Sequence, residues 1–134
     1  MDEMIRYGGD AATLIPPARG RTWFCGLNPS AAAFILAEML RRRPEAFLVH
    51  LPTPVEAEDF VRDLEFFWPE GASSGAVMLC PAYEIKPFAG ESPSSDLVFA
   101  RLAALTALMN GQKPLAGVVS APSVMHLSLP RKAL

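Results

Sequence analysis

The sequence of 134 residues has few cysteines, few charged residues and no long hydrophobic run. Its two cysteines, Cys25 and Cys80, are too few for a disulfide scaffold or a four-cysteine zinc site. Twelve basic and 14 acidic side chains give a net charge of −2, which argues against a generally basic nucleic-acid binder. No apolar run approaches the roughly 20 residues of a membrane span, and acids stand where a secretory signal carries bases. We therefore expect a cytoplasmic protein with no membrane partner.

Apolar residues make up 51% of the chain, which is enough to supply a buried core. The length fits one domain, since domains average about 100–200 residues. Residues 1–20 form a polar lead-in that Gly8-Gly9 and Pro16-Pro17 interrupt. We assign residues 21–128 to one α/β subdomain, and residues 129–134 to the start of a following subdomain or to the end of a fragment.

Short apolar segments alternate with helical patterns along the subdomain. The segments at 22–25, 47–51, 76–80 and 115–120 are typical of buried strands. Helices are expected over 30–43, after Thr53, from a cap at Ser95, and from Pro122. This alternation implies right-handed crossovers and a mainly parallel sheet covered on both faces. The predicted fold class is therefore a three-layer α/β sandwich.

Local signals define how the first two helices begin. Asn28 is a good N-cap, and Pro29 suits the first helical position. Thr53 and Glu56 form a capping box. The second helix then places an apolar stripe on one face, made of Ala57, Phe60, Val61, Leu64 and Phe67.

The turn after the first strand stands where a P-loop NTPase binds phosphate. The motif G-x-x-x-x-G-K-[ST] requires a second glycine, a lysine and a hydroxyl. The first glycine is present, but alanine occupies each of the other three positions, and a proline removes one backbone N–H. We predict a P-loop NTPase-like fold in which this loop is degenerate and binds no nucleotide. The loop is formed by Gly26, Asn28, Pro29, Ser30, Ala31, Ala32 and Ala33.

No other group of residues predicts a catalytic or metal site. His50 lies near the end of the second strand, and His126 lies in the last short helix, with no second ligand at metal spacing. Cys25 and Cys80 both end strands, and we interpret them as small buried hydrophobes. We expect no catalytic residues, no metal and no cofactor in this chain.

Several residues are candidates for an interface with a protein or DNA. The basic run at 41–43 ends the first helix, and three aromatic residues at 66–68 cannot all face one core. The loop at 82–94 is long for a connection and carries aromatic residues beside charges. The candidate interface residues are Arg41, Arg42, Arg43, Trp68, Tyr83 and Phe88.

The order and spacing of five segments resemble the N-terminal, UvrB-like module of the bacterial transcription-repair coupling factor. The resemblance covers roughly residues 14–134, and the segments are Gly26–Ala33, Cys80–Phe88, Ser92–Asp96, Arg101–Leu105 and Gly117–Met125. UvrB itself has an intact P-loop and a long DNA-gripping hairpin. The stretch from Asp96 to Gly117 has room for only one helix and a turn. The degenerate loop and the short stretch both favour the coupling factor over UvrB.

The resemblance implies a non-catalytic structural and docking subdomain. In this family ATP and Mg²⁺ serve a C-terminal pair of translocase domains, which act on double-stranded DNA and displace stalled RNA polymerase. The protein also recruits UvrA, through a subdomain that would begin at about 129–134. The implied partners of this chain are other domains of the same polypeptide. Two alternatives stay open: a P-loop-like domain that binds nucleotide through Arg19 or Arg21, and an unrelated α/β module with a small-molecule site among His50, Tyr83 and Ser120.

Overall fold

The computed structural model describes residues 3–5, 20–43, 45–83, 90, 92–109 and 116–125. They form an α/β arrangement of short strands and helices. In chain order the elements are β1 (Glu3–Ile5), β2 (Thr22–Phe24), α1 (Pro29–Arg42), β3 (Phe47–Leu51), α2 (Pro54–Phe67), α3 (Pro69–Ser73), β4 (Val77–Cys80), α4 (Ser95–Met109), β5 (Ala116–Ser120) and α5 (Ala121–Met125).

The strands belong to two parallel sheets. The main sheet has three strands in the order β3-β5-β4, so the last of them in sequence lies in the centre. The other sheet contains β1 and β2, with Met4 opposite Trp23. We expected one sheet that includes the strand predicted at 22–25. This expectation is wrong, because the strand pairs with β1 instead. β1 itself lies within the segment that we predicted to be a polar lead-in.

The core lies between the main sheet and the helices α1 and α2. Strand alternation places Val49, Val118 and Leu79 in one row across the sheet. That row faces the α2 stripe, and three members of the stripe, Ala57, Phe60 and Leu64, are buried. From α1, the buried residues Ala33, Leu36, Ala37 and Leu40 join the same cluster.

The opposite face of the main sheet is covered in part by α4. Cys80 points to this side, because its neighbour Leu79 faces α2, and Arg101 of α4 contacts it. At the other edge of the same face, Leu48 of β3 is 77% exposed. These helices on two sides of a parallel sheet are compatible with a three-layer α/β sandwich.

Capping follows the sequence signals at two helices and departs from them at a third. Asn28 accepts a hydrogen bond from the N–H of Ala31, and the Thr53–Glu56 capping box is complete. At α4 the cap is Ser94 rather than Ser95, since Ser94 Oγ accepts from Leu97 N at 3.4 Å and its carbonyl accepts from Val98 N. The shift of one residue changes no other feature of the helix.

A short helix, α3, follows α2 where the sequence indicated only an end. Trp68 closes α2, and Pro69 then begins a new turn, as proline does at a first helical position. Gly71 is required there, because a Cβ atom would lie 2.1 Å from the Trp68 ring. The Trp68 side chain is thereby held in the core, at 7% exposure.

Candidate functional site

The turn between β2 and α1 has the backbone of a tight strand-to-helix connection. Gly26 has a φ of +77°, in the left-handed region that favours glycine. Asn28 is extended, and its Oδ1 accepts a hydrogen bond from Ala31 N at 2.7 Å. Because of this bond, one of the N–H groups that a phosphate would use is already occupied by a side chain of the turn itself.

A carboxylate lies beside the same turn. Ser30 Oγ donates a hydrogen bond of 2.6 Å to Asp63 Oδ2, which comes from α2. The carboxylate therefore stands at the N-terminus of α1, where the helix dipole favours a negative charge. A second anion brought to this place would be repelled by Asp63. The sequence pattern gave no signal for this contact, because the two residues are 33 positions apart.

The turn also lies on a different sheet from the one whose carboxyl edge we expected it to join. Ligands of parallel α/β folds bind at the carboxyl ends of the strands of one sheet. Here β2 pairs with β1, whereas β3, β4 and β5 form the main sheet. Within the described residues, the one strand end beside the Gly26–Ala33 turn is therefore that of β1, and the carboxyl ends of the main sheet do not adjoin it.

The carboxyl edge of the main sheet holds a small cavity. Its volume is about 30 Å³, and its lining includes Glu58, Cys80, Leu97 and Ser120. Small-molecule sites have volumes of about 300–1,000 Å³, so this cavity is too small for an organic ligand. Ser120 is buried, and its Oγ accepts a hydrogen bond from Ser123 N at 3.4 Å.

Arg101 is the residue at this edge that sequence reasoning did not single out for a role. It is 4% exposed, and its guanidinium donates to Pro81 O at 3.1 Å and to Ser123 O at 2.8 Å. The same group contacts Cys80 Sγ at 3.6 Å and lies 5.3 Å from the centre of the Tyr83 ring. Its contacts join the end of β4 to α5. The sequence did contain a signal for such a role, because Arg101 is the one basic residue among the mainly apolar residues of α4.

The two cysteines occupy different environments. Cys80 is half-buried, and burial raises the pKa of its thiol, although the Arg101 charge opposes that rise. Cys25 is exposed, just beyond β2 in the other sheet, so its interpretation as a buried hydrophobe is wrong. Both are free thiols. A raised pKa keeps Cys80 protonated, which is the opposite of what a nucleophilic cysteine requires.

The three residues of the small-molecule alternative do not converge. Leu51 is the register partner of Ser120, so His50 points to the opposite face of the sheet from Ser120. His50 is exposed, Ser120 is buried, and Tyr83 lies against Arg101. His126 lies outside the described residues.

The predicted interface residues are divided between surface and core. Arg41 bonds to Glu38 at 2.6 Å and to the Phe67 carbonyl, and Arg42 lies 3.9 Å from Glu38. Arg43 is half-buried next to them. The prediction that Trp68 belongs to an interface is wrong, because its side chain lies in the core.

Tyr83 and Phe88 belong to the loop for which we predicted a contact with a partner. Tyr83 is half-buried against Arg101, and Phe88 lies outside the described residues. In the aromatic run at 66–68, Phe66 is the exposed member, at 77%, and it stacks edge-on against Phe67.

The described part of the chain contains no cluster of three or more side chains suited to a metal ion. Every buried side-chain nitrogen or oxygen in those segments has a hydrogen-bond partner. Their helices are also too short or too polar for a membrane span. Comparison with known proteins gives no match to any family model, to any curated protein or to any solved structure.

Proposed function

We propose that this chain is a non-catalytic structural and docking module of the kind found at the N-terminus of the transcription-repair coupling factor. One observation carries the non-catalytic part. At the turn where a nucleotide-binding relative would hold phosphate, Asn28 occupies the Ala31 N–H and the Asp63 carboxylate binds Ser30. The turn has no cation of its own, and phosphoryl transfer relies on positioned positive charge and a metal ion.

The docking part of the proposal is supported by the surface of α4. The apolar residues of α4 are distributed around all of its sides instead of forming one stripe. A helix of that kind is typically covered by other protein. Phe99 is 68% exposed on it, and Ala100 and Ala103, its neighbours on the helix surface, are exposed as well. Exposed apolar side chains that lie together mark places where a protein meets a partner. In a coupling factor the partner would be another domain of the same polypeptide.

The nucleotide-binding alternative requires an arginine in place of the missing lysine. Arg21 lies over the Trp23 ring, 5.9 Å from its centre, and Arg19 lies outside the described residues. Arg21 thus lies against Trp23 of β2, and this position gives no support to a nucleotide contact at the turn. We therefore rank it below the docking module.

Thermal melting with ATP and Mg²⁺ tests the non-catalytic part. A ligand that binds the folded state raises the melting temperature by mass action. We expect no rise at millimolar ATP–Mg²⁺, relative to matched samples with MgCl₂ and NaCl alone. A reproducible rise that is specific to the nucleotide would overturn this part of the proposal.

Association in trans tests the docking part. The probe is a purified transcription-repair coupling factor that lacks its own N-terminal module. Titration calorimetry should detect binding of this chain, and Phe99→Lys should weaken it at least about tenfold, a loss of about 1.4 kcal/mol. The matched control is Phe66→Lys, which changes an exposed aromatic side chain on α2. No binding, or equal effects of the two substitutions, contradicts the proposal.

A further inference from the structure

Three phenylalanine rings form a row on the surface where α1 meets α2. Phe67 lies in the middle, with its ring centroid 5.4 Å from that of Phe34 and 5.2 Å from that of Phe66, and both contacts are edge-to-face. Phe34 is 38% exposed and Phe66 is 77% exposed, whereas Phe67 is half-buried against the core. This phenylalanine row is a contiguous apolar surface, and such surfaces mark places where a protein meets a partner.

The Phe66 ring is held in place without being needed by the core. The α2 residues that enter the core beside it are Phe60 and Leu64, and its own ring contact is with Phe67. A side chain that an edge-to-face contact already positions loses less freedom when a partner covers it. Phe66 therefore has the properties of a binding residue that the fold presents to solvent.

Carboxylates outnumber cations in the chain around Phe66. The charged residues of α2 and α3 from position 59 onward are Asp59, Arg62, Asp63, Glu65 and Glu70. Arg62 donates to Asp59 at 2.9 Å, and the nearby Arg41 bonds to Glu38 at 2.6 Å. Glu65 has no ion-pair or hydrogen-bond partner within the described segments, and Glu70, 4.0 Å from Arg41, is 73% exposed. The charge that is left uncompensated beside the phenylalanine row is therefore negative.

We propose that the phenylalanine row is the docking surface for a basic segment of another protein, with an arginine of that segment stacked on the Phe66 ring and paired with Glu65. A guanidinium is attracted to an aromatic face, and its planar fork matches the two oxygens of a carboxylate. The Phe34 ring extends the apolar contact toward α1. The row lies on the α1–α2 side of the main sheet, whereas α4 lies on the opposite face, so this inference does not rest on the proposed function.

Charge selects this occupant among the classes of macromolecule. The phosphates of a nucleic acid or of an anionic membrane would meet the carboxylates around the row and be repelled. A second copy of this chain, placed by two-fold symmetry, would bring the same row with the same carboxylates, on a chain of net charge −2. A basic protein segment is the class of partner whose charge and apolar side chains both complement this surface.

Titration calorimetry of the full chain with a synthetic peptide is the first test. The probe is a helical peptide with leucine and arginine on one face, and its counterpart has glutamate in place of each arginine. We expect the arginine peptide to bind, more weakly as salt screens the charges, and the glutamate peptide not to bind. Phe66→Ser should weaken binding at least about tenfold. The matched control is Phe99→Ser, the same change at a 68% exposed phenylalanine of α4. No binding of the arginine peptide, or equal weakening by the two substitutions, overturns the proposal.

A second pair of variants separates charge from apolar adhesion. Glu65→Gln should weaken the arginine peptide about threefold, because an exposed ion pair is lost. Glu58→Gln, at an exposed position two turns earlier on α2, should leave the affinity unchanged. Equal effects of these two changes overturn the proposal, and so does equal binding of the glutamate peptide. Sedimentation velocity supplies one further outcome: a dimer of the parent chain that Phe66→Ser abolishes identifies a second copy as the occupant and likewise overturns the proposal.

Discussion

Gly71 allows a quantitative test of how the core is closed at the end of α2. In Gly71→Ala, the new Cβ atom would lie 2.1–2.3 Å from three atoms of the Trp68 indole. Non-bonded carbon atoms are normally about 3.5–4.0 Å apart, so the indole must move by more than an ångström. Trp68 belongs to the buried cluster, and moving it disturbs neighbours in that cluster.

The magnitude follows from two opposing effects. Forcing extra volume into a packed core costs typically 1–3 kcal/mol, and the size of this overlap places the cost near the top, at about 3 kcal/mol. Alanine is favoured over glycine in a helix by about 1 kcal/mol. We therefore expect Gly71→Ala to lower the free energy of unfolding by about 2 kcal/mol.

Urea denaturation followed by circular dichroism measures that loss. A double-mutant cycle with Trp68→Leu identifies its cause, because removing the indole removes the collision. In the Trp68→Leu background, Gly71→Ala should cost nothing and can even stabilise. Gly117→Ala is the matched control, since its Cβ would meet Leu48 at an ordinary 3.7 Å. The reasoning is refuted if the loss persists without the indole, or if Gly71→Ala is as stable as the parent chain.

Three further predictions concern the cap, the buried arginine and the thiols. Thr53→Ala should lower the free energy of unfolding by about 1 kcal/mol in the same urea assay, because the capping box is lost. Arg101→Lys should lower the free energy of unfolding by about 2–3 kcal/mol, since an ammonium group cannot reach the same acceptors. The exposed control Arg62→Lys should change it by no more than about 0.5 kcal/mol. A thiol reagent should modify Cys25 before Cys80 in the folded chain, and equal rates would contradict the assigned burial. Because burial raises the pKa of the Cys80 thiol, this thiol ionises at a lower pH in the unfolded chain than in the folded chain. The free energy of unfolding should therefore fall as the pH rises from the ordinary thiol pKa to the raised one. Cys80→Ala should remove that part of the fall.

The features that could be predicted from the sequence depend on neighbours in the chain. The caps at Asn28 and Thr53 are defined by residues within one helical turn, and the α2 stripe repeats at helical spacing. The α/β alternation follows from such local patterns. Boundaries moved by a residue or two, as at Ser94, because adjacent serines offer equivalent caps.

The features that could not be predicted depend on which distant segments meet. A three-residue strand such as β2 shows no periodicity that distinguishes β1 from β3 as its partner. Tertiary structure likewise determines the contact between Asp63 and Ser30. It also determines the hydrogen bonds from Arg101 to the carbonyl oxygens of Pro81, after β4, and Ser123, in α5. Trp68 was placed on a surface because it follows two phenylalanines, whereas the turn into α3 directs it inward.

The central position of β5 has a consequence for the order in which the protein can fold during synthesis. β3 and β4 are made first, yet they do not pair with each other, because β5 lies between them. While a ribosome is still translating the chain before Ala116, the earlier strands and α2 have no sheet on which to close. Residues 47–80 must wait for a strand that emerges about 40 residues later, and such non-local pairing slows folding. Emergence of β5 from the ribosome is therefore the event that allows the main sheet to form.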